Sequence, residues 1–135
     1  MRFMLLMRPN IDQTDEGWAP PAEAVAVMER YNEDLRRAGV LLSLDGLHSP
    51  ARGALVTFSG GRATVTDGPF AEAKEVIGGY WMIDVRSKDE AIEWAKRCPV
   101  SGAEGAAIEV RQVAEISDFP ADVQAAFETA SRAEA

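Results

Sequence analysis

The order of the elements limits this chain more than any other feature. Two amphipathic helices, each with its own start and stop residues, stand between short apolar strands. In residues 21–38, Ala24, Met28, Tyr31 and Leu35 recur at i, i+4, i+7 and i+11, which is one face of a helix. Val25 and Val27 widen that stripe. Pro20 and Pro21 suit its first turn, Glu23 and Arg36-Arg37 suit its dipole, and Gly39 stops it. The second helix opens at Ser87, with Glu90 three residues on as a capping box. Ala91, Ile92, Ala95 and Cys98 line one of its faces, and Pro99 ends it.

Strands fill the rest. Residues 2–8 are apolar on both faces and read as a central, buried strand. The polar loop of residues 9–19 holds Trp18. Residues 40–47 form a second strand. Residues 54–58 and 62–66 form a hairpin around Ser59-Gly60-Gly61. Asp67-Gly68-Pro69-Phe70 is a strong turn signal, and residues 71–75 after it suit one helical turn. Residues 76–85 form the next strand, with Gly78-Gly79 marking a bulge or a close backbone approach. Residues 107–113 alternate, with Ile108 and Val110 inward and Glu109 and Arg111 outward. A last helix follows Phe119-Pro120 and carries Val123, Ala126, Phe127 and Ala130 on one face.

The predicted fold is therefore α+β, a ferredoxin-like βαββαβ pattern with an inserted β-hairpin and a C-terminal helix. Such a sheet has both helices on one face. Its other face needs a cover, and a second copy of the chain would supply one. Phe3, Met4, Met7, Tyr80 and Met82 suit that contact. A homodimer is the expectation.

Composition narrows the function classes. The chain has 135 residues, 47% of them hydrophobic, which is enough for a single-domain core. No apolar run approaches the ~18 residues of a membrane span, and the run from Phe3 to Met7 is too short for a secretory signal. The expected setting is cytoplasmic, without membrane contact. A formal net charge of −8 with no Lys/Arg cluster argues against direct nucleic-acid binding. One cysteine and one histidine leave no metal-ligand set. GxGxxG, P-loop, HExxH and GxSxG motifs are all absent, so no cofactor is expected.

The run Thr66-Asp67-Gly68-Pro69-Phe70-Ala71-Glu72-Ala73-Lys74-Glu75-Val76-Ile77-Gly78-Gly79-Tyr80 resembles the signature of DGPF-domain proteins, within the wider YCII-related superfamily. The resemblance continues through Asp89-Glu90-Ala91-Ile92-Glu93-Trp94-Ala95 and Ile108-Glu109-Val110-Arg111, and takes in Tyr31, Ala38-Gly39 and Gly46-Leu47. It implies a dimeric α/β barrel over residues 1–113; residues 114–135 lie outside the resemblance and read as a helical extension. It also implies a link, in some members, to sigma-factor-dependent transcription. YCII-type proteins are often assigned a His–Asp site, with a histidine in the first helix and Asp-Pro at the end of the second. This chain has no histidine in its first helix and Cys98-Pro99 at the end of the second.

Only His48 and Asp67 could re-create such a pair from other positions. Asp67 beside Gly-Pro can be aimed into a cleft as a general acid or base, or can cap the turn that follows. His48 stands at a strand end as a base, a proton donor or a plain loop residue. Lys74 and Glu75 suit an anionic ligand or a solvated ion pair. Phe70 and Arg111 are further candidate ligand contacts. Tyr80 and Trp81 point to opposite sheet faces, so one of them lines a pocket. Tyr31 reads as core, and Cys98 as a small buried hydrophobe.

Two functions fit these residues. One is a small-molecule-binding or regulatory domain, acting in transcription through a protein partner. The other is a cofactor-independent enzyme using Asp67 and His48 as an acid–base pair.

Overall fold

The computed structural model describes residues 1–12, 14, 17, 19–70, 76–100 and 104–134. Among the described residues, six strands and three helices follow in the order β1 (Arg2–Arg8), α1 (Ala22–Arg37), β2 (Leu41–Gly46), β3 (Ala54–Ser59), β4 (Arg62–Asp67), β5 (Gly79–Asp84), α2 (Lys88–Lys96), β6 (Ala107–Gln112) and α3 (Ala121–Glu134). Short 3-10 turns occupy Pro50–Arg52 and Ile116–Asp118. β2, β5, β1 and β6 form one antiparallel sheet in that order, and among the described residues β3 pairs only with β4. This is the ferredoxin-like α+β arrangement with an inserted hairpin and a C-terminal helix.

Register explains which side chains reach the core. Leu5 stands opposite Trp81 and Val110, and Phe3 opposite Ile83. These residues share the helix-covered face with Tyr31 and Leu35 of α1 and Ala91 of α2. Phe3, Leu5, Leu35 and Ile83 are completely enclosed. Each such side chain stabilises the fold by roughly 1.5–3 kcal/mol through burial alone.

The opposite face carries Met4 across from Met82 and Leu6 across from Tyr80, all half-buried. Phe3 and Met7 do not belong to this open face. The period of two turns them toward the helices, where Phe3 is core and Met7 packs against it.

Three local expectations need correction. Val25 and Val27 are exposed, as is Ala24, so the first turns of α1 stand off the sheet and its inner stripe begins at Met28. β5 begins at Gly79 rather than at residue 76. The register shift falls in β2, between Leu41 and Ser43. At α2 the Ser87 hydroxyl accepts from the Glu90 N–H at 3.1 Å, but the Glu90 carboxylate reaches back to the N–H of Arg86 rather than that of Ser87. The helical turn expected over 71–75 and the side chain of Trp18 lie outside the described residues.

Candidate functional site

Two glycines bring β1, β2 and β5 together. A Cβ on Gly78 would lie 2.8 Å from the Pro9 ring, and one on Gly79 2.8 Å from the Asp45 carbonyl. The Gly78 N–H donates to the Met7 carbonyl at 2.7 Å, and its own carbonyl accepts from the Leu47 N–H at 2.9 Å. Gly78-Gly79 is thus the close backbone approach expected from its sequence.

Just past this pinch, Trp81 turns under α1. Its indole N–H donates to the Asn32 side-chain oxygen at 2.7 Å, and Asn32 in turn donates to Glu29 at 3.0 Å. The Tyr31 ring meets the indole edge-on at 5.5 Å, and its hydroxyl donates to the Trp94 carbonyl at 2.7 Å. Burial lifts the Tyr31 hydroxyl well above the usual phenol range. Tyr80 leaves on the other side of the sheet, and its hydroxyl donates to the Asp45 carboxylate at 3.1 Å.

Between these groups lies a cavity of about 180 Å³. Its lining includes Met28, Asn32, Leu44, Asp45, Tyr80 and Trp81, with Met7 and three glycines completing it, and it opens to solvent on one side. The walls are mostly apolar. Asn32 is 3% exposed and uses one donor and one acceptor position in the hydrogen bonds above. An amide side chain has two of each.

Sequence reasoning missed Asn32. The available signal was its place at i+4 from Met28, next to Tyr31, where an asparagine is a poor helix former and needs partners.

The other expected site residues lie elsewhere. His48 is exposed beyond β2, and both ring nitrogens lie 3.1–3.2 Å from the Arg52 guanidinium. Asp67 is exposed at the end of β4, opposite Ala54. No hydrogen bond or ion pair joins His48 to Asp67, and neither lines the cavity.

After Asp67, the cis Gly68-Pro69 bond follows. The Gly68 N–H donates to the Gly53 carbonyl at 2.9 Å, and a Cβ at Gly68 would fall 1.7 Å from the Pro50 carbonyl oxygen. This glycine holds the hairpin base against the turn at Pro50–Arg52.

Phe70 is half-buried after the turn. Lys74 and Glu75 lie outside the described residues, as does any cap that Asp67 makes there. Arg111 stands on the open sheet face and donates to Glu109 at 3.3 Å, while Glu109 also pairs with Arg8. Among the described residues no three His, Cys, Asp or Glu side chains are grouped to hold a metal ion. No described helix is long and apolar enough to cross a membrane.

The family model of the YCII-related domain matches residues 1–117. The chain belongs to the YCII-related family. The chain is also 36% identical, over 89 residues, to a protein of Rhizobium meliloti (strain 1021) called "Uncharacterized protein R00369". That stretch covers 66% of this chain and 68% of the relative. The YCII-related fold thus accounts for the core.

Proposed function

We propose that this YCII-related chain binds a small neutral molecule, about the size of one ring, in the cavity beneath α1. The observation that carries the reading is an apolar cavity of about 180 Å³ with a buried amide in its wall. An engineered protein cavity of roughly 150 Å³ accepts benzene, so a single ring fits this volume. Apolar walls supply most of the affinity, and the remaining hydrogen-bonding capacity of Asn32 orients a polar edge. A net charge of −8 disfavours anions. Ligand-detected NMR with neutral one-ring fragments tests this. Hits are expected with the wild-type chain and lost in Met28→Trp, which fills the space. Equal hits in both proteins would refute the site.

The acid–base reading has less support, because His48 is held by Arg52 and not by Asp67. A role in sigma-factor-dependent transcription would run through protein contacts, given the acidic surface.

The same proposal includes a homodimer. Met4, Leu6, Tyr80 and Met82 form an apolar strip on the sheet face that α1 and α2 leave open. Ion pairs from Arg8 and Arg111 to Glu109 flank the strip. A facing second copy covers it. Met82→Glu is expected to yield monomers in sedimentation, and an unchanged dimer would remove this contact from the proposal.

A further inference from the structure

The open face of the sheet is divided by charge. Side chains alternate between the two faces of a strand, so the register assigns each one. The charged residues of this face on β2 and β5 are Asp45 and Asp84. Those on β1 and β6 are Arg2, Arg8, Arg111 and Glu109. Two ion pairs at one end of the face soften the division without reversing it. The terminal amine pairs with Asp84 at 3.1 Å, and Glu115 with Arg2 at 2.8 Å. Among the described residues the β2–β5 half stays acidic and the β1–β6 half basic.

Two side chains carry this division at the outer edges. Asp45, on β2, accepts from the Tyr80 hydroxyl and meets no cation among the described residues. Arg111, on β6, has a side chain that is 69% exposed. It touches Glu109 at 3.3 Å, and that carboxylate also pairs with Arg8. Asp45 and Arg111 cannot meet within one chain. β2 and β6 are the outer strands of the four-stranded sheet, and three strand spacings separate them by about 14 Å.

We infer that two copies of this chain pack sheet to sheet with their two-fold axis parallel to the strands, so that Asp45 of each copy pairs with the partner's Arg111. This axis lays β2 over the partner's β6 and β5 over the partner's β1. Each acidic half then faces a basic half, and the contact is made twice. A two-fold axis across the strands would instead stack β2 on β2 and β6 on β6, with like halves facing. Like charge brought together in this way disfavours the wrong arrangement.

The levels along the strands agree with this choice. Asp45 stands in one row with Tyr80, Leu6 and Glu109, and Arg111 stands two residues along in the row of Met4 and Met82. Two residues of strand are about 6.8 Å, which an extended arginine side chain spans. The same axis sets Met82 against the partner's Met4 and Tyr80 against the partner's Leu6. The apolar strip closes in the middle, and the ion pairs lie at the rim. The inference rests on the sheet-face dimer proposed above and fixes its orientation.

Sedimentation equilibrium of full-length chains tests it. Asp45→Arg alone and Arg111→Asp alone are each expected to weaken the dimer about tenfold, one decade in dissociation constant. The chain carrying both substitutions is expected to return to within about threefold of wild type. The two positions are too far apart to meet within a chain, so that rescue can come only from the partner. Circular dichroism checks that each variant folds. Where a reversed chain does not fold, Asp45→Asn and Arg111→Gln replace the pair, and their losses are expected to be non-additive. A wild-type dimer that ignores both substitutions, shows additive losses or is not rescued by the double variant overturns this orientation and leaves the sheet-face dimer standing. A wild-type monomer at all working concentrations overturns the dimer and its orientation together.

Discussion

Trp81 and Asn32 are joined by a 2.7 Å hydrogen bond from indole to amide, buried under α1. The pair ties β5 to α1 and forms part of the cavity wall. Replacing Asn32 by leucine leaves the indole N–H without an acceptor. Urea denaturation is expected to show a loss of about 1–3 kcal/mol. Combined with Trp81→Phe, the losses are expected to be non-additive, with a coupling of about 0.5–3 kcal/mol. Strict additivity would mean that the bond contributes nothing.

Gly68 bears on the hairpin in the same way. A methyl group there would sit 1.7 Å from the Pro50 oxygen, so the turn or the hairpin base must move. Gly68→Ala is expected to cost roughly 1–3 kcal/mol or more, as overpacking does. A neutral result in thermal unfolding would show that the hairpin base is not held by this contact.

Much of this architecture is legible in the sequence, and the reasons for the gaps are physical. Helix limits follow from Gly39, Ser87 and Pro99, because caps and breakers act locally. The opposite destinations of Tyr80 and Trp81 follow from the period of a strand. Asn32 is hidden because a polar residue on a helix reads as solvent-facing until its partner is known, and Trp81 lies far away in sequence. Gly68 reads as a turn residue, while its contact with Pro50 is long-range. That His48 meets Arg52 rather than bonding Asp67 is likewise decided by the folded chain: His48 follows β2, and Asp67 ends β4.

His48→Ala and Asp67→Asn distinguish binding from acid–base chemistry. Both side chains are exposed, so each substitution is expected to change stability by no more than about 0.5 kcal/mol. Fragment affinity for the cavity is expected to stay within about twofold, well below one decade in dissociation constant. Loss of binding in either variant, measured by the same NMR assay, would place the ligand elsewhere.

Burial pushes the Cys98 thiol from its ordinary 9.0 up to about 12. The folded state therefore holds this proton where the unfolded chain has released it. The associated stability is intact below pH 9 and falls as pH rises toward 12. Tyr31 shifts in the same direction and adds to the decline. Denaturation of wild type and Cys98→Ala between pH 8 and about 11 checks this. The variant is expected to show the shallower fall, and parallel curves would contradict the burial of the thiol.

The central claim is that the cavity beside Trp81 takes a small neutral ring. The most direct measurement is a proton–nitrogen NMR titration of the indole signals with benzamide, with Trp81→Phe identifying the Trp81 resonance. The account predicts a saturable shift of the Trp81 indole N–H while the Trp94 signal stays in place. A Trp81 signal that does not move, with benzamide bound or unbound, would contradict it.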